Sequence, residues 1–448
     1  MLELLLETLK TFEGVEWRVR ETRTRRLENY NIKKQSEMLR EVETTRLMLT
    51  LYVTFSEGDK KYRGSYDTEI HPGASANDIR AKIEQGAYAA GFVKNEWYPL
   101  VSPSSGGEPS SEGANAPDPE GDDDDAAALE SLQGAFFSGD CREGGHLSYS
   151  EFFITRRDER ILNSSGVDVR YRARSLFVET AVHWKGKGEK EIEIFECYNA
   201  SLPVGSGDVS AAGEMLKRRV ADLFAVAEQK SMALPTPQVG DVNILLSGEC
   251  LATLFDCYSE RANVQMIYQQ LSTFKEGEQV QGAGAECDRV SLTLDPRMEG
   301  SSHSRPYDND GTPLDSHEII RGGKLLRLWG DARFSSYLGA APTGNIANVR
   351  VSGGTVAAAD MRIEPYLELV SFSDFQADAV TGDFGSEIRL GFYFDGEKTV
   401  PVTGGSISGN IATVQDTMRM STEERQYDHY RGPATICIRG ASIAGNAG

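Results

Sequence analysis

The strongest constraint on the fold is an order of elements that occurs twice in the first half of the chain. Glu16 to Lys34 (EWRVRETRTRRLENYNIKK) alternates in the manner of a strand. Arg46 to Phe55 (RLMLTLYVTF) is rich in β-formers, and the turn Ser56-Glu57-Gly58-Asp59 leads into KYRGSYDTEI, which predicts a hairpin. Ser75 to Gly91 then reads as a helix. Ser75 is placed to cap it with Asp78 three residues on, Ile79, Ile83, Ala87 and Ala90 form an apolar stripe, and Gly91 ends it. The same order returns. Ser150 to Arg170 is strand-like with a turn at Asn163 to Gly166, and Arg174 to Leu202 is a second hairpin turning at Lys185 to Gly188. Ser210 to Gln229 is a second helix, with Met215, Leu216, Val220, Leu223 and Phe224 on one face. Each helix has one apolar stripe to bury, so the pattern predicts a duplicated α+β unit forming one domain, its helices packed on one face of a mixed or antiparallel sheet. Two unrelated α+β segments would look the same at this level, and that reading stays open.

At 448 residues the chain is too long for one ordinary core. Leu234 to Gly240 (LPTPQVG) has two prolines and no periodicity, so the expected domains are 1–235 and 241–448. Ser102 to Ala128 carries eight acidic residues and no basic one, cannot bury apolar surface, and is expected to be a disordered insert, about 102–128. It accounts for much of the net charge of −21. An acidic balance disfavours nonspecific binding to nucleic acid. Arg18, Arg20, Arg23, Arg25 and Arg26 are interleaved with Glu16, Glu21 and Glu28, the pattern of a solvated strand face. The six cysteines are scattered with no C-x-x-C pair, which points to reduced thiols. In MLELLLETLKTFEG the charges Glu3, Glu7 and Lys10 interrupt the apolar residues, giving an amphipathic helix and no signal-peptide core. No apolar run approaches membrane-spanning length, so the chain is expected in the cytoplasm.

The second half contains short strands such as KLLRLW, TVAAADMRI, EIRLGFYF and TVPVTG, punctuated by Gly322-Gly323, Gly353-Gly354 and Gly404-Gly405. That punctuation predicts a strongly bent or barrel-like antiparallel sheet, making the whole chain α+β. No P-loop, Rossmann fingerprint or G-x-S-x-G elbow is present. His317-Glu318 has Arg321 where an H-E-x-x-H motif needs its second histidine. Cys141 and His146 flank a Gly-rich segment with no second ligand pair nearby, and His303 lies near Asp308 and Asp310 without the rest of a calcium loop. From spacing alone, the chain has no catalytic or metal-ligating set.

Five pieces in order do carry information: SRPYDNDG (Ser304 to Gly311), Leu338-Gly339, TGN (Thr343 to Asn345), TGDF (Thr381 to Phe384) and PVTGGSISGN (Pro401 to Asn410). They resemble the motifs of the TldD/PmbA family, also called modulators of DNA gyrase or TldD/TldE protease subunits. In the peptidase-competent TldD members, the helix corresponding to Gly248 to Ser272 carries an H-E-x-x-x-H motif, where two histidines on one face hold a metal and the glutamate activates water. Here that stretch has Glu249 and no histidine. TldD also supplies a cysteine ligand near its C-terminus, whereas Cys437 lies in the apolar TICI and reads as core packing. The resemblance therefore implies a metal-free, non-catalytic TldE/PmbA-like subunit with no cofactor of its own. It would pair with a zinc-bearing TldD-type metallopeptidase that degrades unfolded or small, including modified, peptides. The alternatives are a stand-alone peptidase with a noncanonical site and a homodimeric binding or scaffold protein. Asp308, Asn309, Asp310 and Gly311 have the chemistry of a turn, a scaffold role. The other reading gives Arg305, Asp308, Asp310, Thr343 and Asn345 contact roles in a groove or at a subunit interface.

Overall fold

The computed structural model describes residues 1–103, 124–140, 142–186, 191–205, 207–240, 242–281 and 287–445. Its first half is one antiparallel sheet of six strands. They are β1 (Val15–Ile32), β2 (Gln35–Glu57), β3 (Lys60–Ile70), β4 (Gly145–Asn163), β5 (Asp168–Trp184) and β6 (Ile192–Leu202), in spatial order β3-β2-β1-β4-β5-β6. The two expected units are thus the two halves of one sheet. They are joined where β1 pairs with β4, from Arg18 opposite Asn163 to Ile32 opposite Tyr149.

Helices α1 (Leu2–Leu9) and α2 (Ala76–Ala90) belong to the first unit; α3 (Asp125–Ser138) and α4 (Ser210–Ser231) belong to the second. Ser75 and Asp78 form the expected capping box at the start of α2. Leu5, Ile79 and Ile83 pack on Val19, Leu49 and Leu162. Phe136, Leu216 and Phe224 pack on Phe152, Ile154 and Val178, with Leu27 at the margin. Val19 lies opposite Leu49 and Leu162, and Leu27 opposite Ile154. Directly opposed residues share a face, so both helix pairs cover the same side of the sheet, as expected.

Helix α3 corrects the sequence reading. The acidic stretch was expected to be disordered to Ala128, and its last residues instead start a helix. Residues 104–123 lie outside the described residues. The Asp124 carboxylate accepts from Ala127 N at 2.9 Å, capping α3, and Ala128, Leu129, Leu132 and Phe136 are buried. Each unit therefore reads helix, three strands, helix. Asp125 ties α3 to the sheet. It is ion-paired at 2.6 Å with Arg174, whose side chain is 2% exposed, and at 3.4 Å with Arg156.

After α4 the chain forms Leu234–Pro235, a short strand that pairs in parallel with Thr399–Thr403 of the second half. That half is a curled, mostly antiparallel half-barrel, matching the expected bent sheet, with Asn243–Ser247 against Tyr366–Phe372 as another parallel pair. Two register shifts in Tyr366–Phe372 and the long strand Asp383–Phe394 supply curvature. Asp383–Phe394 pairs with one set of strands at its start and another at its end. Helix α5 (Cys250–Arg261) is inserted into the large core of this half through Leu251, Leu254, Phe255 and Tyr258. Cys437 is buried in a neighbouring cluster with Leu245, Met361 and Tyr366. Among the described residues, no helix is long and apolar enough to cross a membrane.

The segment Ser304 to Gly311 docks on the face of the first sheet opposite the helices. Asp310 pairs with Arg18 of β1. Gly311 has φ +84°, and a Cβ there would lie 2.7 Å from Val167 Cγ1. Replacing Gly311 by Ala therefore adds a left-handed strain to a steric one. Gly311→Ala is expected to lower stability by about 2 kcal/mol. Asp125→Ala, which leaves Arg174 buried without its carboxylate, is expected to cost about 3 kcal/mol. Urea denaturation of purified variants checks both, and an unchanged midpoint for either contradicts the role assigned to that residue.

Candidate functional site

The five residues singled out in the sequence are all tied into one another or into the scaffold. Asp308 is 1% exposed and accepts from the amides of Asp310 and Thr312, each at 2.9 Å, and of Asn345 at 3.2 Å. Burial pushes its carboxyl up, and the amides of Thr312 and Asn345 oppose that shift. One buried carboxylate thus holds the SRPYDNDG turn to the TGN segment. Thr343 Oγ1 accepts from Gly330 N at 2.9 Å, while Asp310 is taken up by Arg18. The carbonyl of Asn345 accepts from Arg305 at 3.0 Å. Arg305 is the one of the five that also lines the large groove described next.

That groove has a volume of about 1410 Å³. Strand register explains its floor. Between the two apolar cores, the helix face of the sheet carries rungs of charge. Glu21 lies opposite Arg160 and that opposite Arg170; Arg23 lies opposite Asp158 and that opposite Arg172. Neither helix pair covers this band, so it stays open, with the start of α1 on one side and Val209 to Met215 on the other. Of the arginines of β1, Arg23 and Arg26 pair with the interleaved Glu21 and Glu28, while Arg18 and Arg25 reach Asp310 and Glu41 on other segments. The groove continues round the edge strand β6, where Ser201 N donates to Gly300 O at 3.0 Å, to Arg305 and Asp428.

At Asp428 the structure gathers residues that spacing could not connect. The strands Glu424–Tyr427 and Tyr430–Pro433 form a hairpin whose two-residue turn is Asp428-His429. Asp428 sits at φ +43°, a left-handed conformation that Asp tolerates better than most residues. Its carboxylate accepts from Ser302 N at 2.7 Å and Ser302 Oγ at 2.8 Å, and lies 3.3 Å from His303 Nε2. His429 turns toward α5, with Nε2 3.1 Å from Asp256 Oδ2. The two imidazole rings meet edge-on, centroids 5.5 Å apart. One ligand atom from each of His303, Asp428 and His429 lies within 4.8 Å of the others.

The surroundings are unusually acidic. Glu249, at the start of α5, is 3.4 Å from Arg219 of α4, and Arg219 also lies over the rings of Tyr198 and Tyr427. Desolvation by the surrounding protein pushes Glu249 up although its side chain still reaches solvent, and Arg219 opposes this. Burial, then repulsion from Glu249, pushes Glu196 up to about 7. The hydrogen bond to Asp256 raises His429, against burial. For Asp428 burial acts upward, but hydrogen bonds from His303 and Ser302 prevail and hold it below the usual carboxylate range. Two imidazoles and a carboxylate on converging segments are a nitrogen-oxygen donor set, while Glu196 can exchange a proton near neutrality.

Spacing along the sequence offered no metal-ligating set, and the fold brings His303, Asp428 and His429 together. His303 had been weighed against Asp308 and Asp310, its sequence neighbours, and its actual neighbours come from the distant 428–429 turn. The other histidines stay apart from this cluster. His317 faces Arg327, and His146 lies beside His183 with the rings tilted, while Cys141 is outside the described residues. Helix α5 itself has no imidazole, and its Glu249 is engaged by Arg219, so it does not fit an H-E-x-x-x-H metal helix.

Residues 239–445 match the family described as PmbA/TldA metallopeptidase C-terminal domain. An uncharacterized protein of Methanocaldococcus jannaschii is 24% identical over 263 residues, 56% of this chain, and the chain spans 59% of that relative's length. TldE from Thermococcus kodakarensis superimposes with a TM-score of 0.73 at 15% identity, covering 100% of both chains. A Thermotoga maritima protein named as a candidate modulator of a DNA gyrase gives 0.73 at 16%, covering 99% of this chain and 98% of that one. A similarly named Bacteroides thetaiotaomicron protein gives 0.72 at 17%, with 99% and 98% covered. At these identities the structural likenesses bear on the fold alone. From Val239 to Gly445 the chain thus carries the PmbA/TldA-type C-terminal domain, and along its length it has the fold of the TldE and gyrase-modulator structures.

Proposed function

We propose that this chain is the TldE/PmbA-like, non-catalytic subunit of a TldD/TldE-type metalloprotease acting on unfolded or small peptides. The observation that carries this reading is helix α5. It is built into the core as a complete helix, yet it presents no imidazole, and its Glu249 is tied to Arg219 instead of standing free beside a metal. A lone, partnered glutamate cannot hold a zinc or act as its general base. In this reading the zinc that activates water is on a TldD-type partner, in the cytoplasm. This chain contributes walls to the chamber and part of the surface that the partner meets. The open groove beside β6, with Arg305 and the charged rungs in its lining, is the surface best suited to extended peptide.

One observation favours a second reading, the stand-alone peptidase. The cluster of His303, Asp428 and His429 opens beside the same groove and offers a noncanonical site. The two readings separate in one set of assays on fluorogenic unfolded peptides. The purified chain alone is expected to release no fluorescence above background. Co-expression with a TldD-type subunit carrying H-E-x-x-x-H is expected to yield a stable complex that cleaves, and mutation of that partner's motif is expected to abolish cleavage. Hydrolysis by the isolated chain that disappears in His429→Ala overturns the subunit reading in favour of the second. A persistent homodimer that neither cleaves nor joins the partner overturns both and leaves a binding or scaffold protein.

A further inference from the structure

The geometry points to a divalent transition-metal site in this chain, formed by His303, Asp428 and His429 and separate from helix α5. Three independent segments converge on it: the loop Ser301 to Ser304, the two-residue hairpin turn, and, through Asp256, one side of α5. One ligand atom from each of the three residues lies within 4.8 Å of the others. His303 Nε2 and Asp428 Oδ2 are already 3.3 Å apart. That separation suits two donors sharing an ion at about 2.0–2.1 Å from each.

The supporting groups also have the right chemistry. A metal-bound histidine usually has a carboxylate or carbonyl on its other side, fixing ring orientation and raising basicity. Asp256 is a carboxylate positioned to do this for His429. Asp428 is fixed by Ser302 N and Ser302 Oγ, and its left-handed backbone places it and His429 on either side of the turn. Asp428 and Asp256 both lie against the two imidazoles, while Arg219 is taken up by Glu249, so a dication here would meet carboxylates on two sides. Two nitrogens and one oxygen suit zinc, manganese, iron, cobalt or nickel, and exclude the all-oxygen coordination of a calcium site. Three protein ligands leave a position open, and because Asp428 lines the groove that position is available to a carboxylate or carbonyl of a groove ligand.

The test uses the full-length chain stripped with chelator and titrated with Zn²⁺ and with Co²⁺, followed by calorimetry and by the visible spectrum of the cobalt form. Expected is one saturable site per chain, a cobalt spectrum without thiolate charge-transfer bands, and a melting temperature that rises with metal. His303→Ala and His429→Ala should each weaken binding at least about 100-fold, and Asp256→Asn about 10-fold. All three should keep the metal-free melting temperature. His429→Gln retains a group that can bond Asp256, and replaces His429→Ala should the latter unfold. Absence of saturable binding overturns the assignment. So does binding of equal affinity in the His303→Ala/His429→Ala double variant, or a thiolate band that places the metal on cysteine. The proposal is independent of the subunit reading: metal bound at this site without peptide hydrolysis satisfies both, and hydrolysis by the isolated chain counts against the subunit reading only.

Discussion

The pairing of β1 with β4 is the interaction on which the rest of the molecule depends. It is a single antiparallel seam running from Arg18–Asn163 to Ile32–Tyr149, and it turns two units, each too small to bury its helices well alone, into one sheet. Its register places Val19 with Leu162 and Leu27 with Ile154, so both apolar cores fall on one face. A slip of one residue would move every one of these side chains to the other side. The same register leaves the charged rungs between the cores and so creates the groove. On the opposite face it presents Arg18, together with Val167 from the turn that follows β4, to the Ser304–Gly311 segment. Scaffold and groove are thus two consequences of one alignment.

Elements whose cause is local were legible in the sequence. The α2 capping box is written in Ser75 and Asp78, the α4 stripe in Leu216, Val220 and Phe224, and the hairpins in alternation bounded by turn residues. Helix α3 was not legible, because its apolar residues follow a run of aspartates that reads as solvated chain. In the fold the end of that run has two uses that need tertiary partners. Asp124 caps the helix, and Asp125 neutralises Arg174 and Arg156, which lie on two other strands. Composition described the stretch as a whole and missed that its last residues face a buried guanidinium. In the second half, glycine punctuation announced curvature, but the parallel pairings of Leu234–Pro235 and Asn243–Ser247 depend on strands more than a hundred positions away.

The candidate site divides in the same way. Turn chemistry anticipated the behaviour of Asp308, whose oxygens bond Asp310 N and Thr312 N nearby. It did not anticipate that the second oxygen reaches Asn345 and welds two motifs together. Histidine spacing offered nothing, since His303 and His429 belong to segments brought into register only when the hairpin turn packs against the loop before Ser304. Spacing rules detect ligands that share a helix or a loop. They cannot detect ligands that share only a corner of the fold.

That corner also differs electrostatically from the rest of the molecule. Several pairs elsewhere are matched one to one near the surface: Arg46 with Glu69, Lys94 with Glu57, Arg160 with Asp168. Such pairs contribute little and are easily satisfied by solvent. Around Arg219, by contrast, burial pushes the carboxyls of Glu249 and Glu196 up, while for Asp428 hydrogen bonds from His303 and Ser302 outweigh burial and push it down. Groups of one chemical type pushed in opposite directions within one cluster are poorly explained by stability alone, because a scaffold would be firmer with apolar residues in their place. Helix α5 is packing in the core of the second half, yet acidic residues and imidazoles gather beside it. The absence of histidines from α5 and the gathering of His303, Asp428 and His429 beside it are therefore separate observations, and the first does not decide the second.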